Sequence, residues 1–307
     1  MPQGEAESVR TVVFALAANL GAALAKLAGA LFTGSGAMYA EAIHTFADSG
    51  NEILLLIAQK SSRDPADEKH PLGHGRAAYF WALIASLGVF TIGALLSIRQ
   101  GILTLVHPEP ISSFRVAYVI LAVSFTLDAL SLVQALRQLR GEARSLGRTL
   151  VEHLDVSSDP VRRAVFAEDA AALVGNGIAL GGIALHQVTG SGIPEGIAAI
   201  VIGLLLGYVA LNLAARNGDI LIGGQAPLEL RDRAQRIIVA RPGVLAVTEL
   251  LMTFIGPRRV WVVARIAIDH ALSGANTETL VRALERDLTG QSPFIARVDI
   301  VPRGRHP

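Results

Sequence analysis

Cysteine is absent from all 307 residues. This removes disulfides and thiolate ligands together and leaves any metal chemistry to nitrogen and oxygen ligands. Charge is scarce: Asp, Glu, Lys and Arg make up 17% of the chain against 51% hydrophobic residues, and the mean hydropathy is +0.47. That balance points to a membrane protein before any motif is read. The net charge is only +1 and the basic residues are spread through loops, so no face suits nucleic acid. No His-Glu-x-x-His pair and no Ser or Cys nucleophile constellation occurs, which argues against an enzyme. Low-complexity tracts and histidine-rich insertions are missing too. Residues Met1 to Arg10 carry mixed charge and lead into an apolar stretch without a small-residue cleavage site, so a removable signal peptide is not expected.

What is present is a series of long apolar runs. A bilayer span needs roughly 20 mostly apolar residues, and six segments qualify, near 10–33, 38–59, 78–104, 114–136, 163–188 and 192–214. The second carries His44, Asp48, Asn51 and Glu52 and the fifth carries Glu168 and Asp169, so these two are expected to face the protein interior. Lys60, Arg63, Lys69 and Arg76 lie in 59–77, and Arg137, Arg140, Arg144, Arg148, Arg162 and Arg163 in 137–163. The alternate loops have little Lys or Arg beyond Arg99 and Arg115. The positive-inside rule then puts the charged loops and both termini in the cytoplasm. After about Ala215 the pattern becomes soluble: a helix at 228–240, a Pro242-Gly243 turn, a strand at 245–254, a Gly256-Pro257 turn and a strand at 260–268. Asn276 is expected to cap a helix at 277–289, and a last strand falls near 295–301. The expected fold is an α-helical membrane protein with six transmembrane helices (1–214), followed by a small cytoplasmic ferredoxin-like α+β domain (215–307) of order α-β-β-α-β.

On a helix His44 and Asp48 are one turn apart and Asn51 follows at i+3, so the three share one face. Each charge at mid-membrane costs about 2.5–3.5 kcal/mol on insertion scales, so such residues mark an ion path or a structural partner. An imidazole and a carboxylate at this spacing suit Zn2+, with further ligands from another helix. Asn51 fits ligation and packing equally. Glu168-Asp169 is the partner face, beside Gly175-Asn176-Gly177 where helices can approach closely. Adjacent residues diverge by about 100° on a helix, so only one of the two carboxylates need reach the ion. Asn19 and Asp128 are read as packing groups. Asp67, His70 and His74, in a loop that turns at Pro71 and Gly73, form a second candidate metal site. The same loop also reads as a plain charged connector.

These motifs in this order resemble the cation diffusion facilitator family. The resemblance is carried by Thr33-Gly-Ser-Gly-Ala-Met38, Glu41-Ala-Ile-His44 with Asp48, His70-Pro-Leu-Gly-His74-Gly-Arg76, and the tail with Pro242-Gly243-Val244. It implies a homodimeric metal/proton antiporter with a transport site on His44 and Asp48 and a loop site on Asp67, His70 and His74. The fifth segment departs from the family's His-x-x-x-Asp pair, with Glu168 in the histidine position, Ala172 in the aspartate position and Asp169 alongside. Phe166-Ala-Glu-Asp-Ala-Ala is similar to the zinc transporter 9-like subgroup. The resemblance implies Zn2+ as the cargo, exported from the cytoplasm in exchange for protons. A carboxylate-rich set keeps Mn2+, Fe2+ or Co2+ open. A metal-sensing membrane scaffold without transport is the rival reading. The tail holds only His270 and His306, so it is expected to bind little metal and to serve as a dimer contact.

Overall fold

The computed structural model describes residues 3–108, 111–145, 159–292 and 294–303. Six long helices come first: α1 (Gln3–Thr33), α2 (Gly36–Ser61), α3 (Ala77–Val106), α4 (Phe114–Ser145), α5 (Pro160–Thr189) and α6 (Ile193–Leu221). Then follow α7 (Leu228–Val239), β1 (Val244–Gly256), β2 (Arg259–Ile268), α8 (Gly274–Gln291) and β3 (Ile295–Arg303). The elements match the expected order, α3 with a π-helical turn at Ser86–Phe90. Helix α4 runs past the apolar limit at 136 and carries Arg137, Arg140 and Arg144; Arg148 lies outside the described residues.

Four helices are long and apolar enough to cross a bilayer by length and composition: α3, α4 (over Phe114–Gly141), α5 and α6. In α1 only Asn19–Thr33 stands out as a shorter apolar stretch. Helix α2 carries Glu41, Asp48, Glu52 and Lys60, which dilute its hydropathy. The count of six spans therefore stays an expectation, although six long helices are present.

The helices are inside out relative to a soluble bundle. Leu31, Phe32, Leu95, Val119, Leu130 and Leu211 face outward, while Lys26, Glu41, His44, Asp48, Asn51, Glu168 and Asn176 are buried among alanines and glycines. Water cannot produce that arrangement, because it would leave the large apolar side chains unpaid and the charges stranded; hydrocarbon around the helices does. Small residues allow close contact: a Cβ on Gly101 would sit 2.6 Å from the Gly196 carbonyl oxygen, so α3 and α6 meet backbone to backbone.

The chain divides into two compact units, one of long helices and one combining residues 60–80 with 217 onward. In the second unit β1 pairs antiparallel with β2, and β2 pairs parallel with β3 across the α8 crossover, giving the order β1-β2-β3. Helices α7 and α8 cover one face, burying Ile238, Leu284 and Leu288 against Met252, Val262, Ala264 and Ile266. The cap of α8 differs from expectation. Ser273 is the N-cap residue, its hydroxyl accepting from the Asn276 amide at 3.3 Å, because Asn276 already lies in the first turn.

Candidate metal centre

Two places carry the predicted ligands. The first lies among the long helices. His44 is fully buried and its Nε2 stands 3.4 Å from Asp48 Oδ2, as the one-turn spacing requires. The Asn51 side-chain amide donates to Glu168 Oε1, which joins α2 to α5. Asp169, the neighbour of Glu168, turns elsewhere and accepts from the Ser131 hydroxyl of α4 at 2.9 Å. The structure thus pairs His44 with Asp48 and Asn51 with Glu168, and points Asp169 at a different helix.

Among the described residues, both nitrogens of His44 and Oδ1 of Asp48 are buried without a hydrogen-bond partner. Orphaned polar atoms of this kind are costly in a protein interior, and a bound cation is a direct way to satisfy them. A carboxylate and an imidazole together form a donor set for a divalent ion of intermediate hardness.

The packing residues behave as expected. Asn19 donates to Glu52 Oε1 at 2.6 Å, tying α1 to α2, and Asn176 donates to Asp128 Oδ2 between α5 and α4. Gly175 is needed where α5 crosses α2, since a Cβ there would lie 2.2 Å from Glu41 Oε1 and 3.4 Å from His44 Nδ1.

Sequence reasoning missed Lys26 and Glu41 as members of this cluster. Lys26 Nζ lies 3.1 Å from Glu41 Oε2 and 3.0 Å from Thr45 Oγ1, and the lysine is 1% exposed. The available signal was a lone lysine in the middle of an apolar run. A second buried polar group was also missed: Glu195 at the start of α6 is held by His186 of α5 and by the Ser35 hydroxyl before α2.

The second place is the 64–76 loop. Asp67, His70 and His74 bring their ligand atoms within 4.8 Å of one another. Asp67 Oδ1 accepts from the His70 amide at 2.6 Å, Asp67 Oδ2 faces His74 Nε2 at 3.5 Å, and the two imidazole centroids are 4.1 Å apart. His74 Nδ1 must donate to the Pro65 carbonyl at 3.1 Å, because a carbonyl only accepts; this leaves Nε2 free as a ligand atom. Gly73 adopts φ +80 at the turn, a conformation open to glycine. The backbone amide of His70, then its side chain and the charge of His74, hold the Asp67 carboxyl below the usual carboxylate range. The loop is anchored within its own unit, since Arg76 Nε donates to the Phe254 carbonyl at 3.1 Å and Gly75 abuts Ile255 and Gly256. His270 stands in an exposed turn after β2, and His306 lies outside the described residues.

Residues 12–222 match the Cation efflux transmembrane domain family. The chain is 33% identical over 244 residues to the Xenopus laevis protein named proton-coupled zinc antiporter SLC30A9, mitochondrial, which covers 80% of this chain and 44% of that protein. It is 35% identical over 184 residues to metal tolerance protein C4 of Arabidopsis thaliana, covering 60% of this chain and 40% of the plant protein. It is 27% identical over 250 residues to the cation-efflux pump FieF of Klebsiella pneumoniae, covering 81% of this chain and 78% of that pump. The chain therefore spans less than half the length of the first two. The family consists of transporters and not enzymes, which agrees with the missing nucleophile and metalloprotease signatures. On the match of residues 12–222, more than half of its length, this chain belongs to the cation efflux, or cation diffusion facilitator, family.

Proposed function

We propose that the protein is a divalent metal cation/proton antiporter that exports Zn2+ from the cytoplasm by alternating access, with residues 1–214 as the transport domain and 215–307 as a cytoplasmic domain. The observation that carries this reading is the buried His44–Asp48 pair of α2 with unsatisfied ligand atoms, together with the Asn51–Glu168 contact that joins α2 to α5. His44 and Asp48 bind the ion directly. Glu168 supplies the partner carboxylate from α5, and Asn51 positions it. Asp169, engaged with Ser131, serves outside the coordination sphere. Asp67, His70 and His74 form the loop site, where metal is held before or beside transport.

Proton coupling follows from competition. A metal ligand must be deprotonated, so a proton on His44 or a carboxylate and the metal ion exclude each other at the same atoms. When the site faces the cytoplasm the ion displaces protons; when it faces outward, protons displace the ion. Exposed apolar side chains on the long helices support a bilayer around this exchange; the positively charged loops and both termini lie on the cytoplasmic side, and the tail joins two copies as a homodimer. The carboxylate-rich site also favours a second cargo reading, Mn2+ or Fe2+ in the same mechanism.

Flux in proteoliposomes with an imposed pH gradient tests the proposal. Zn2+ uptake is expected to follow the gradient, to collapse with a protonophore, and to fall at least tenfold in Asp48→Ala and Glu168→Ala, while Asp169→Ala keeps most of its rate. Unchanged flux in Asp48→Ala, or metal binding without flux in the wild type, would reject it; the latter result belongs to a metal-sensing scaffold.

A further inference from the structure

The buried ion pair of Lys26 and Glu41 has no part in the ligand set above, yet it is built against His44. The Lys26 ammonium is fixed by Glu41 Oε2 and Thr45 Oγ1, and the Thr45 hydroxyl in turn donates to the Glu41 backbone carbonyl at 3.0 Å. The other carboxylate oxygen, Glu41 Oε1, lies 3.7 Å from His44 Nδ1 and has no hydrogen-bond partner among the described residues. On the opposite edge of the ring, Nε2 faces Asp48 Oδ2 at 3.4 Å. His44 is thus flanked by two carboxylates of different standing: Glu41 is neutralised by an ammonium, and Asp48 is not.

We infer that Lys26 and Glu41 are positioning residues that decide which nitrogen of His44 receives the cation: Glu41 holds the Nδ1–H edge, Nε2 ligates beside Asp48, and Lys26 keeps Glu41 out of the coordination sphere. This rests on the reading of His44 and Asp48 as metal ligands. A neutral imidazole carries one N–H and one lone pair, so a carboxylate that takes the N–H of one nitrogen leaves the other free for metal. Charge points the same way, because a dication is drawn toward Asp48 and Glu168 and repelled from the ammonium on the Glu41 side. Sterics agree. The backbone of α5 lies so close at Gly175 that a Cβ would meet Glu41 Oε1 at 2.2 Å and His44 Nδ1 at 3.4 Å, so α5 roofs the Nδ1 edge. A buried charge pair is a poor way to gain stability, since apolar residues of similar volume often do as well or better. An orienting role accounts for its presence beside the ligand.

The test uses the full-length protein in liposomes and Zn2+ as the probe. Lys26→Met leaves Glu41 as a free anion at the site, so it joins the ion: KM and maximal rate are both expected to fall by about tenfold. Adding Glu41→Gln removes the stray charge and keeps an acceptor for Nδ1–H, so Lys26→Met/Glu41→Gln returns both values to near the wild type. In wild type with Zn2+ bound, the 15N spectrum of His44, assigned by its loss in His44→Gln, is expected to show a protonated Nδ1 and a metallated Nε2. Metal on Nδ1, or equal KM in the single and double variants, overturns the inference. The spectrum decides even if Lys26→Met does not fold, because it needs only the wild type and, for the assignment, His44→Gln. An inactive wild type whose His44 signal ignores Zn2+ would reject the proposed function itself, and with it this orienting role.

Discussion

Asp67 shows how one side chain builds a site. Its carboxylate caps the His70 amide and faces both imidazoles, and those contacts hold its pKa below the usual range. The sign follows: a carboxyl with a depressed folded pKa contributes fully above its unfolded value near 4 and loses that contribution only as the pH falls further. Between pH 5 and 8 the loop should therefore keep the Asp67 charge. Asp67→Asn is expected to lower loop affinity for Zn2+ by about tenfold or more, as measured by calorimetric titration at neutral pH in an Asp48→Ala background. An affinity unchanged in Asp67→Asn would contradict this. Asp67, His70 and His74 were legible in sequence because they sit close together along the chain. Lys26 and Glu41 were not legible as partners of His44, since their meeting depends on how α1 packs on α2.

At the scale of elements, the long helices could be read from apolar length, and the tail from alternation and turn chemistry. The differences arise where local rules compete. Helix α4 continues past its apolar stretch because arginine is a good helix former once the chain leaves hydrocarbon. The start of α8 is set by Ser273, a better-placed cap than Asn276, whose amide it satisfies. Ser273→Ala should cost about 1 kcal/mol, read as a lower unfolding midpoint for the tail, while Asn276→Ala should cost less than half as much. Equal effects would mean that the cap is shared. The approach of α5 to α2 at Gly175 was anticipated from a glycine-containing stretch, but its object, the Glu41–His44 edge, was not.

For the whole molecule, the testable quantity is topology. Because the chain has no cysteine, single cysteines can be placed without removing any. Asp64→Cys in the 62–76 loop and Ser191→Cys in the turn between α5 and α6 are expected to react with a membrane-impermeant maleimide from opposite faces of the membrane. Labelling of both from one side would overturn the six-span arrangement and the placement of the loop in the cytoplasm. The joining of residues 60–80 to the unit formed from 217 onward is also a property of the whole chain. In sequence that loop reads as a connector between spans, while in the structure Arg76 and Gly75 lock it to the end of β1.

By itself the sequence determined the class of protein, the candidate ligands on two helices and in one loop, and the order of elements in the tail. Hydropathy, helical periodicity and turn chemistry are local properties, written in residues within a few positions of each other. Only tertiary structure decided that Glu168 meets Asn51 while Asp169 meets Ser131, that Lys26 neutralises Glu41, and that α5 roofs one edge of His44. Those outcomes depend on the rotation and separation of packed helices, set by small residues far apart in the chain, and no single segment encodes them.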